Sequence, residues 1–210
     1  MTTFIALLRG INVGGNNLVP MDVLRALCEE AGYRDVRTYI QSGNVVMAGA
    51  GTAAKAEARL EAALARRFGR EIPVVVREAA RWAELVRSNP LREAAGRQPK
   101  ALHLALSKAP PARGAVEGVR SKAAGGEVVE QAGTDGLWIL FTQGVGRSKL
   151  TPTLLDRLVG SPVTARNWNT VLALVEMANG SAASPVNAAP RAPGGRRARA
   201  APKGSRRRRA

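Results

Sequence analysis

The hairpin that decides the fold of this 210-residue chain reads VRTYIQSGNVVMA, residues 36–48. Val36–Gln41 and Asn44–Ala48 are two short runs rich in β-branched and apolar residues. Ser42-Gly43 between them is a strong signal for a tight turn. The stretch therefore predicts two antiparallel strands that belong to one sheet.

Apolar segments on both sides of this hairpin follow the strand and helix periods in turn. A continuous run at Thr3–Leu8 predicts a buried strand. The next helix opens at Pro20, carries apolar residues at helical spacing and closes at Gly32. A second helix is predicted at about 53–68, and Ile72–Arg77 returns as a strand. The order of this first module is β-α-β-β-α-β.

The same order repeats after a helix that begins near Ala79 and ends at Asn89-Pro90, because the residue before proline disfavours helix. The second set comprises strand Ala101–Ser107, a helix at about 111–124, strands Glu127–Ala132 and Leu137–Thr142, a helix led by Thr151-Pro152, a short strand near Pro162–Ala165 and a last helix from about Trp168. The duplication is one of topology, without a visible residue-level repeat.

These elements predict an α+β protein of two tandem βαββαβ modules with antiparallel sheets. Residues 1–78 form the first module, 79–99 a helical connector and 100–180 the second module. Residues 181–210 consist mainly of Ala, Pro, Gly, Ser and Arg without hydrophobic periodicity, which cannot offset the entropy of ordering. We expect them to form a disordered basic tail.

The net charge of +16 is concentrated at the end of the chain. Residues 181–210 hold nine basic and no acidic residues, which leaves +7 for residues 1–180. No apolar run approaches the roughly 20 residues of a membrane-spanning helix, and the N-terminus lacks the pattern of a secretory signal. We expect a cytoplasmic protein that does not enter a membrane.

Neither a metal nor a cofactor is predicted. One histidine, His103, and one cysteine, Cys28, cannot assemble a zinc site by themselves. Cys28 falls on an apolar helix face, which favours an inert core thiol. The glycine-rich segments 10–15 and 144–149 lack the spacing of dinucleotide-binding and phosphate-binding loops.

Two polar, glycine-rich ends are predicted by the expected strand order 4-1-3-2. In such a sheet the first and second strands run parallel, so loop 9–17 and turn 41–44 share one end of the first module. By the same reasoning, loop 143–149 and segment 164–169 share one end of the second. Guanidinium groups, amides, hydroxyls and backbone N–H groups in such loops bind phosphate or carboxylate.

The candidate binding residues are the polar and cationic side chains of these two ends: Arg9, Asn12, Gln41, Ser42, Asn44, Arg147, Ser148, Lys149, Arg166, Asn167 and Asn169. Each has a purely structural alternative, since Ser42-Gly43-Asn44 also suits a tight turn and Asn167 or Asn169 also suits a helix cap. No general acid or base is identifiable, so the catalytic residues, if there are any, are unknown.

Four motifs carry a resemblance to a known family: ALLRGINVGG at 6–15, TYIQSGNVV at 38–46, GRSKL at 146–150 and TARNWNT at 164–170. In this order they resemble the domain-of-unknown-function family 1697 over about residues 3–178. The resemblance implies a fold of two ferredoxin-like modules, also called α/β plaits. It implies no established activity, cofactor or catalytic residue.

Three functions stay open, and the first is favoured. It is a non-enzymatic binding protein for an anionic partner, above all nucleic acid, to which the tail adds salt-sensitive attraction. The second is an enzyme that acts without metal on a small phosphorylated or carboxylated substrate. In the third, the polar ends form a protein contact, between modules or between copies, and bind no ligand. Burial of Arg9 and Arg166 against carboxylates of the other module would support this third function. Oligomeric state is left open.

Overall fold

The computed structural model describes residues 1–15 and 17–180, so the predicted tail lies outside the described residues. The first module consists of β1 (Thr2–Leu8), α1 (Met21–Glu30), β2 (Arg34–Tyr39), β3 (Asn44–Gly49), α2 (Ala53–Phe68) and β4 (Val74–Glu78). Every element predicted there is present, and α2 has the expected bounds.

The rest of the chain begins with two helices, α3 (Ala79–Arg87) and α4 (Arg92–Arg97). It continues through β5 (Leu102–Ser107), α5 (Ala115–Arg120), β6 (Val128–Ala132), β7 (Gly136–Leu140), α6 (Pro152–Val159), β8 (Val163–Asn167) and α7 (Trp168–Ala178). Helix α4 was not predicted. The helix expected at about 111–124 is shorter because Gly114, with φ of 78°, precedes its first turn.

The eight strands form two four-stranded sheets. Their orders are β2-β3-β1-β4 and β6-β7-β5-β8, and all neighbouring strands are antiparallel. Leu7 pairs with Asn44 in the first sheet, and Leu106 pairs with Gly136 at the equivalent place in the second. These observations confirm the α+β class and the predicted strand order.

One face of each sheet is covered by helices of its own module. Phe4, Leu24, Cys28 and Leu60 meet in the core beneath α1 and α2. A separate core of the second module lies beneath α5 and α6. Full burial of a Leu or Phe side chain stabilises a fold by roughly 1.5–3 kcal/mol relative to exposure, so these two cores account for the amphipathic helix patterns of the sequence.

The opposite faces of the two sheets pack toward each other in a third, central core. Side chains alternate between the two faces of a strand. Those of Ile5 and Leu7 therefore lie on the face of β1 opposite α1 and α2, where they pack in one core with Leu104 and Trp138 of the second sheet. Helices α3 and α7 contribute Trp82 and other buried residues, namely Leu85, Val171, Leu174 and Met177. RNA-recognition modules stack bases on this sheet face. Here it is closed.

The two modules make equivalent contacts, as expected if an approximate two-fold axis relates them. Leu8 N donates to Gly43 O at 2.8 Å, and Ser107 N donates to Asp135 O at 2.9 Å. The repeat is also visible in sequence, as PVVVR at 73–77 in β4 and PVTAR at 162–166 in β8. The expectation that the duplication is one of topology alone was therefore wrong.

Candidate functional site

The loop after β1 meets the β2–β3 turn, as the strand order predicts. Asn12 Nδ2 donates to Val19 O at 3.0 Å and to Gln41 O at 2.7 Å. Asn12 Oδ1 accepts from Val19 N at 2.8 Å, and the backbone of Asn12 has a φ of 54°. The amide of Asn12 thus holds the loop in shape with both of its polar atoms.

Arg166, predicted in the second polar end, lies instead against the first module. Its Nε donates to Asn44 Oδ1 at 2.5 Å, and its Nη2 donates to Leu8 O at 2.8 Å and Ser42 O at 2.9 Å. Its Nη1 donates to Thr164 Oγ1 and to Ala165 O, both at 2.8 Å. A guanidinium group has five N–H donors, and five hydrogen bonds within the protein occupy this one.

The charge of Arg166 is surrounded by neutral acceptors. Among residues 1–15 and 17–180, Arg166 forms no ion pair. Burial lowers the pKa of its guanidinium to about 10, which still leaves it protonated at neutral pH. Arg166 therefore acts as a charged cross-link between modules, and its donors face backbone and side-chain oxygens of the protein rather than solvent.

Arg77 occupies the equivalent position in β4 and reaches the second module in the same way. Its Nη2 donates to Ser107 O at 2.6 Å, and its Nε donates to Asp135 Oδ1 at 2.5 Å. Arg81 also donates to the Asp135 carboxylate, at 2.8 Å. Asp135 is buried in the β6–β7 turn. Each module thus inserts an arginine from its fourth strand beneath the hairpin of the other.

A second pair of contacts crosses between the modules at the end of the first strand of each. Arg9 Nη2 pairs with Asp156 Oδ2 at 2.5 Å, and Arg9 Nε donates to Val163 O at 3.1 Å. Lys108, the equivalent residue, pairs with Glu61. We define the inter-module joint as these reciprocal contacts: Arg9, Asp156, Lys108, Glu61, Arg77, Asp135 and Arg166, with Ser42 and Asn44.

The remaining predicted residues divide into anchored and exposed side chains. Ser148 donates to Glu127, which lowers the pKa of the Glu127 carboxyl, and Asn167 Oδ1 caps α7 by accepting from Thr170 N at 3.0 Å. Gln41, Arg147, Lys149 and Asn169 are exposed, and their side chains make no hydrogen bond to the described part of the chain.

The histidine and the cysteine are placed in packed surroundings. His103 Nδ1 lies 3.0 Å from Ala101 O, its ring packs edge-on against Phe141, and burial lowers its pKa. In residues 1–15 and 17–180, no group of three or more His, Cys, Asp or Glu side chains is placed to hold a metal ion. Over the same residues, no helix has the length and apolarity to cross a membrane.

Cys28 should resist thiol reagents in the native protein. It is fully buried in the first core, and burial raises the pKa of its thiol to about 12. Because the thiolate is the reactive form, we expect Ellman's reagent at pH 8 to label Cys28 only after urea unfolding. Stoichiometric labelling within minutes of the native protein would contradict this placement.

Five residues of the joint were not among the candidates from the sequence. Asp135, Asp156 and Glu61 are acceptors of the joint, and Arg77 and Lys108 are donors. The PVxxR repeat at 73–77 and 162–166 was the available signal, since it places an arginine at the same position of the fourth strand in both modules.

Comparisons with known proteins place the chain in a family. Residues 1–135 match the model of the family described as Protein of unknown function (DUF1697). The motifs at 6–15 and 38–46 lie inside these residues, and those at 146–150 and 164–170 lie outside them.

The fold is similar to that of the conserved bacterial protein SP0830 from Streptococcus pneumoniae. The TM-score is 0.69 at 21% sequence identity, with 85% of this chain and 99% of that chain covered. At this identity the likeness shows a shared fold alone. No curated protein is significantly similar to the chain. Because the family model matches well over half of its residues, the chain belongs to the DUF1697 family of proteins of unknown function.

Proposed function

We propose that this is a cytoplasmic, non-enzymatic binding protein for an anionic partner, with nucleic acid as the favoured partner, built on two ferredoxin-like modules. The observation that carries the proposal is the exposed loop Gln143–Lys149. Arg147 and Lys149 extend from it, and their side chains make no hydrogen bond to the described residues. Together they offer a guanidinium fork and an ammonium group to a phosphate.

The glycines of the loop leave space for a ligand beside the backbone. An added Cβ at Gly144 or Gly146 would meet no heavy atom within 4 Å, so a ligand can approach the backbone there. The hydrogen bond from Ser148 to Glu127 anchors one side of the loop without using either cation. Asn169 is exposed at the start of α7, directly after β8. The C-terminal end of β8 lies at the same end of the sheet as this loop, which follows β7.

We restrict the proposed site to this loop and its surroundings. Arg9, Arg166 and Asn44 were candidates for the same chemistry, but their polar groups are engaged in the inter-module joint. Arg9 is paired with the Asp156 carboxylate, which supports a contact role for the first polar end, whereas Arg166 meets neutral oxygens and no carboxylate. The two roles are compatible, because the joint fixes the position of the modules while the loop of the second module stays exposed.

The enzymatic alternative gains no support from the described residues. The carboxylates of Asp135, Asp156 and Glu61 are paired with cations of the joint. A general acid or base needs a proton-transfer group within reach of a substrate. Cys28 lies in the first core, and the His103 ring packs edge-on against Phe141.

A salt series of binding measurements tests the proposal. We expect fluorescently labelled single- and double-stranded DNA and RNA to bind the full chain, and Arg147→Ala/Lys149→Ala to weaken binding. Removal of two phosphate contacts should reduce the slope of log K against log salt by about 2. The matched control is Arg113→Ala/Arg157→Ala, which removes two exposed cations near the opposite end of the second module.

Truncation after Gly180 separates the tail from the fold. If residues 1–180 still bind and the loop variant does not, the folded modules carry the site. The proposal is wrong if the loop variant binds as tightly as the original chain at moderate salt, or if all binding disappears with residues 181–210.

A further inference from the structure

A groove opens beside the edge strand β2 at the point where the described part of the chain ends. It has a volume of about 620 Å³ and is lined by residues of β1, β2 and β3, by the end of α1 and by the end of α7 up to Gly180. Val36, Val46 and Met47 supply most of its apolar lining. Residues 181–210 begin directly after Gly180, so this last segment of the chain starts at the groove.

The β2 side of the groove has an irregular edge. β2 lies at the edge of its sheet and, among the strands of the described residues, pairs with β3 alone. The register of this pairing shifts between Arg34 and Arg37, and Asp35 has a φ of 51°. An irregularity of this kind interrupts the ladder and bends the strand. Asp35 and Val36 therefore stand outside the regular pairing, and both line the groove.

The charged groups of the groove favour a cationic occupant. Glu29 and Asp35 line it, both are exposed, and neither forms an ion pair within residues 1–15 and 17–180. Arg37 is the one cation among the described lining residues, and its guanidinium donates to Met177 O in α7. The C-terminal end of a helix carries partial negative charge. The groove thus combines two unpaired carboxylates with a helix end that already binds one guanidinium.

The chain that follows Gly180 has the complementary charge. Residues 181–190 contain no charged side chain, and residues 181–210 contain no acidic one. The first cations after the groove are the four arginines of segment 191–199, namely Arg191, Arg196, Arg197 and Arg199. A stretch as long as 181–190 spans roughly 35 Å when fully extended. It is therefore long enough to lead the arginines back to the groove.

Attachment to the same chain favours this contact. A single exposed ion pair is weak, because both partners stay hydrated when apart and lose side-chain freedom when paired. A ligand that is tethered by a short segment, however, is present at an effective concentration on the order of millimolar. Several weak pairs to one groove can therefore hold segment 191–199 in place, although the same segment as a separate peptide would bind poorly.

We propose that segment 191–199 docks on this groove of its own chain, with its arginines paired to Glu29 and Asp35 and close to the carbonyl end of α7. The contact holds the cations of the segment against the first module. It uses no residue of loop 143–149, so this inference does not depend on the proposed function. The same segment of a second copy offers the same chemistry, and the experiment distinguishes the two sources.

A nitroxide spin label next to the segment tests the inference in the full chain. Cys28 is fully buried, so a thiol-specific label should react in the native protein with Ala200→Cys alone. An undocked segment from Gly180 to the label, 20 residues long, has a root-mean-square length of about 25 Å. Docking brings the label much closer to the groove. In about 50 mM NaCl we expect the label to remove the amide NMR signals of Glu29 and Asp35, and in about 0.5 M NaCl, which screens ion pairs, we expect them to return.

Two double variants of the labelled chain test the assigned carboxylates. Glu29→Gln/Asp35→Asn should restore the amide signals around the groove at low salt. The matched control is Glu71→Gln/Glu117→Gln, which removes two exposed carboxylates that form no ion pair within the described residues and do not line the groove. With this control the signals should still be lost.

A mixed sample identifies the source of the docked segment. It combines a ¹⁵N-labelled chain that has no spin label with a spin-labelled chain that has no ¹⁵N. We expect the groove signals to persist in this mixture, because the segment of each chain occupies its own groove. Loss of the signals in the mixture would place the segment on a second copy and overturn the inference. So would signals that the label never removes at low salt, or that stay lost in Glu29→Gln/Asp35→Asn.

Discussion

Arg166→Ala should lower the free energy of unfolding by about 3 kcal/mol. The substitution removes five hydrogen bonds and leaves Leu8 O, Ser42 O and the Asn44 amide without their donor. Buried acceptors that lose a partner cost more than the hydrogen bond itself contributes, because they cannot regain water. Urea denaturation followed by far-ultraviolet circular dichroism measures the change directly.

The control for this prediction is another arginine of the same candidate set. Arg147→Ala should change stability by no more than about 0.5 kcal/mol, since Arg147 is exposed and its side chain makes no described hydrogen bond. Arg166→Lys should behave much like the alanine variant, because an ammonium group cannot reproduce the planar fork. Equal stability of Arg166→Ala and Arg147→Ala would show that the joint contributes little.

The contrast between these two arginines explains why the sequence could not assign their roles. Both come after a strand predicted from the sequence, lie in polar segments and have small neighbours. What separates them is the acceptor that each guanidinium meets, and for Arg166 those acceptors are 122 to 158 positions away in sequence. A guanidinium fork binds backbone carbonyls as readily as it binds phosphate. The packing of the two modules against each other determines whether a given guanidinium meets backbone carbonyls or remains free for a phosphate.

Local patterns predicted most of the fold. The hairpin at 36–48 and helix α2 follow from turn chemistry and helical spacing. Parallel orientation of the first and second strands then places Asn12 beside Gln41, as observed. The helix at 111–124 was predicted too long because its apolar spacing continues through Gly114, whose left-handed backbone cannot continue a helix.

The sheet faces illustrate a second limit of local patterns. Ile5 and Leu7 are apolar, as are Leu104 and Leu106, so both strands read as buried on two sides. The sequence does not reveal that each sheet is covered by the other. Only the structure shows that the modules share one central core and that the face available to nucleic acid in RNA-recognition modules is occupied.

Reciprocal contacts make each module incomplete without the other. Arg77 satisfies Ser107 O of the second module, and Arg166 satisfies Leu8 O of the first. These are the contacts of an isologous two-fold interface, formed here within one chain. An isolated module would expose its half of the central core and leave an arginine without acceptors, so we expect cooperative unfolding of residues 1–180 rather than two separate transitions.

Gly136→Ala should destabilise the protein by roughly 4 kcal/mol, because the added Cβ would clash with the backbone next to the hairpin that holds Asp135. Gly136 has a φ of 157°, and a Cβ at this position would lie 2.0 Å from Ala105 O and 3.0 Å from the Cα of Leu106. These atoms belong to the backbone of the paired strand, so no side-chain rotation can relieve the contact. β5 and β7 would have to move apart, and the Asp135 carboxylate would move away from Arg77.

The matched control is Gly144→Ala in the exposed loop. Gly144 also has a positive φ, of 83°, but an added Cβ meets no heavy atom within 4 Å. Backbone strain alone should cost about 1 kcal/mol there. Thermal and urea denaturation of both variants separates strain from steric contact. If Gly136→Ala is as stable as Gly144→Ala, β5 and β7 are not packed as closely as described, and the position assigned to Asp135 in the inter-module joint is wrong.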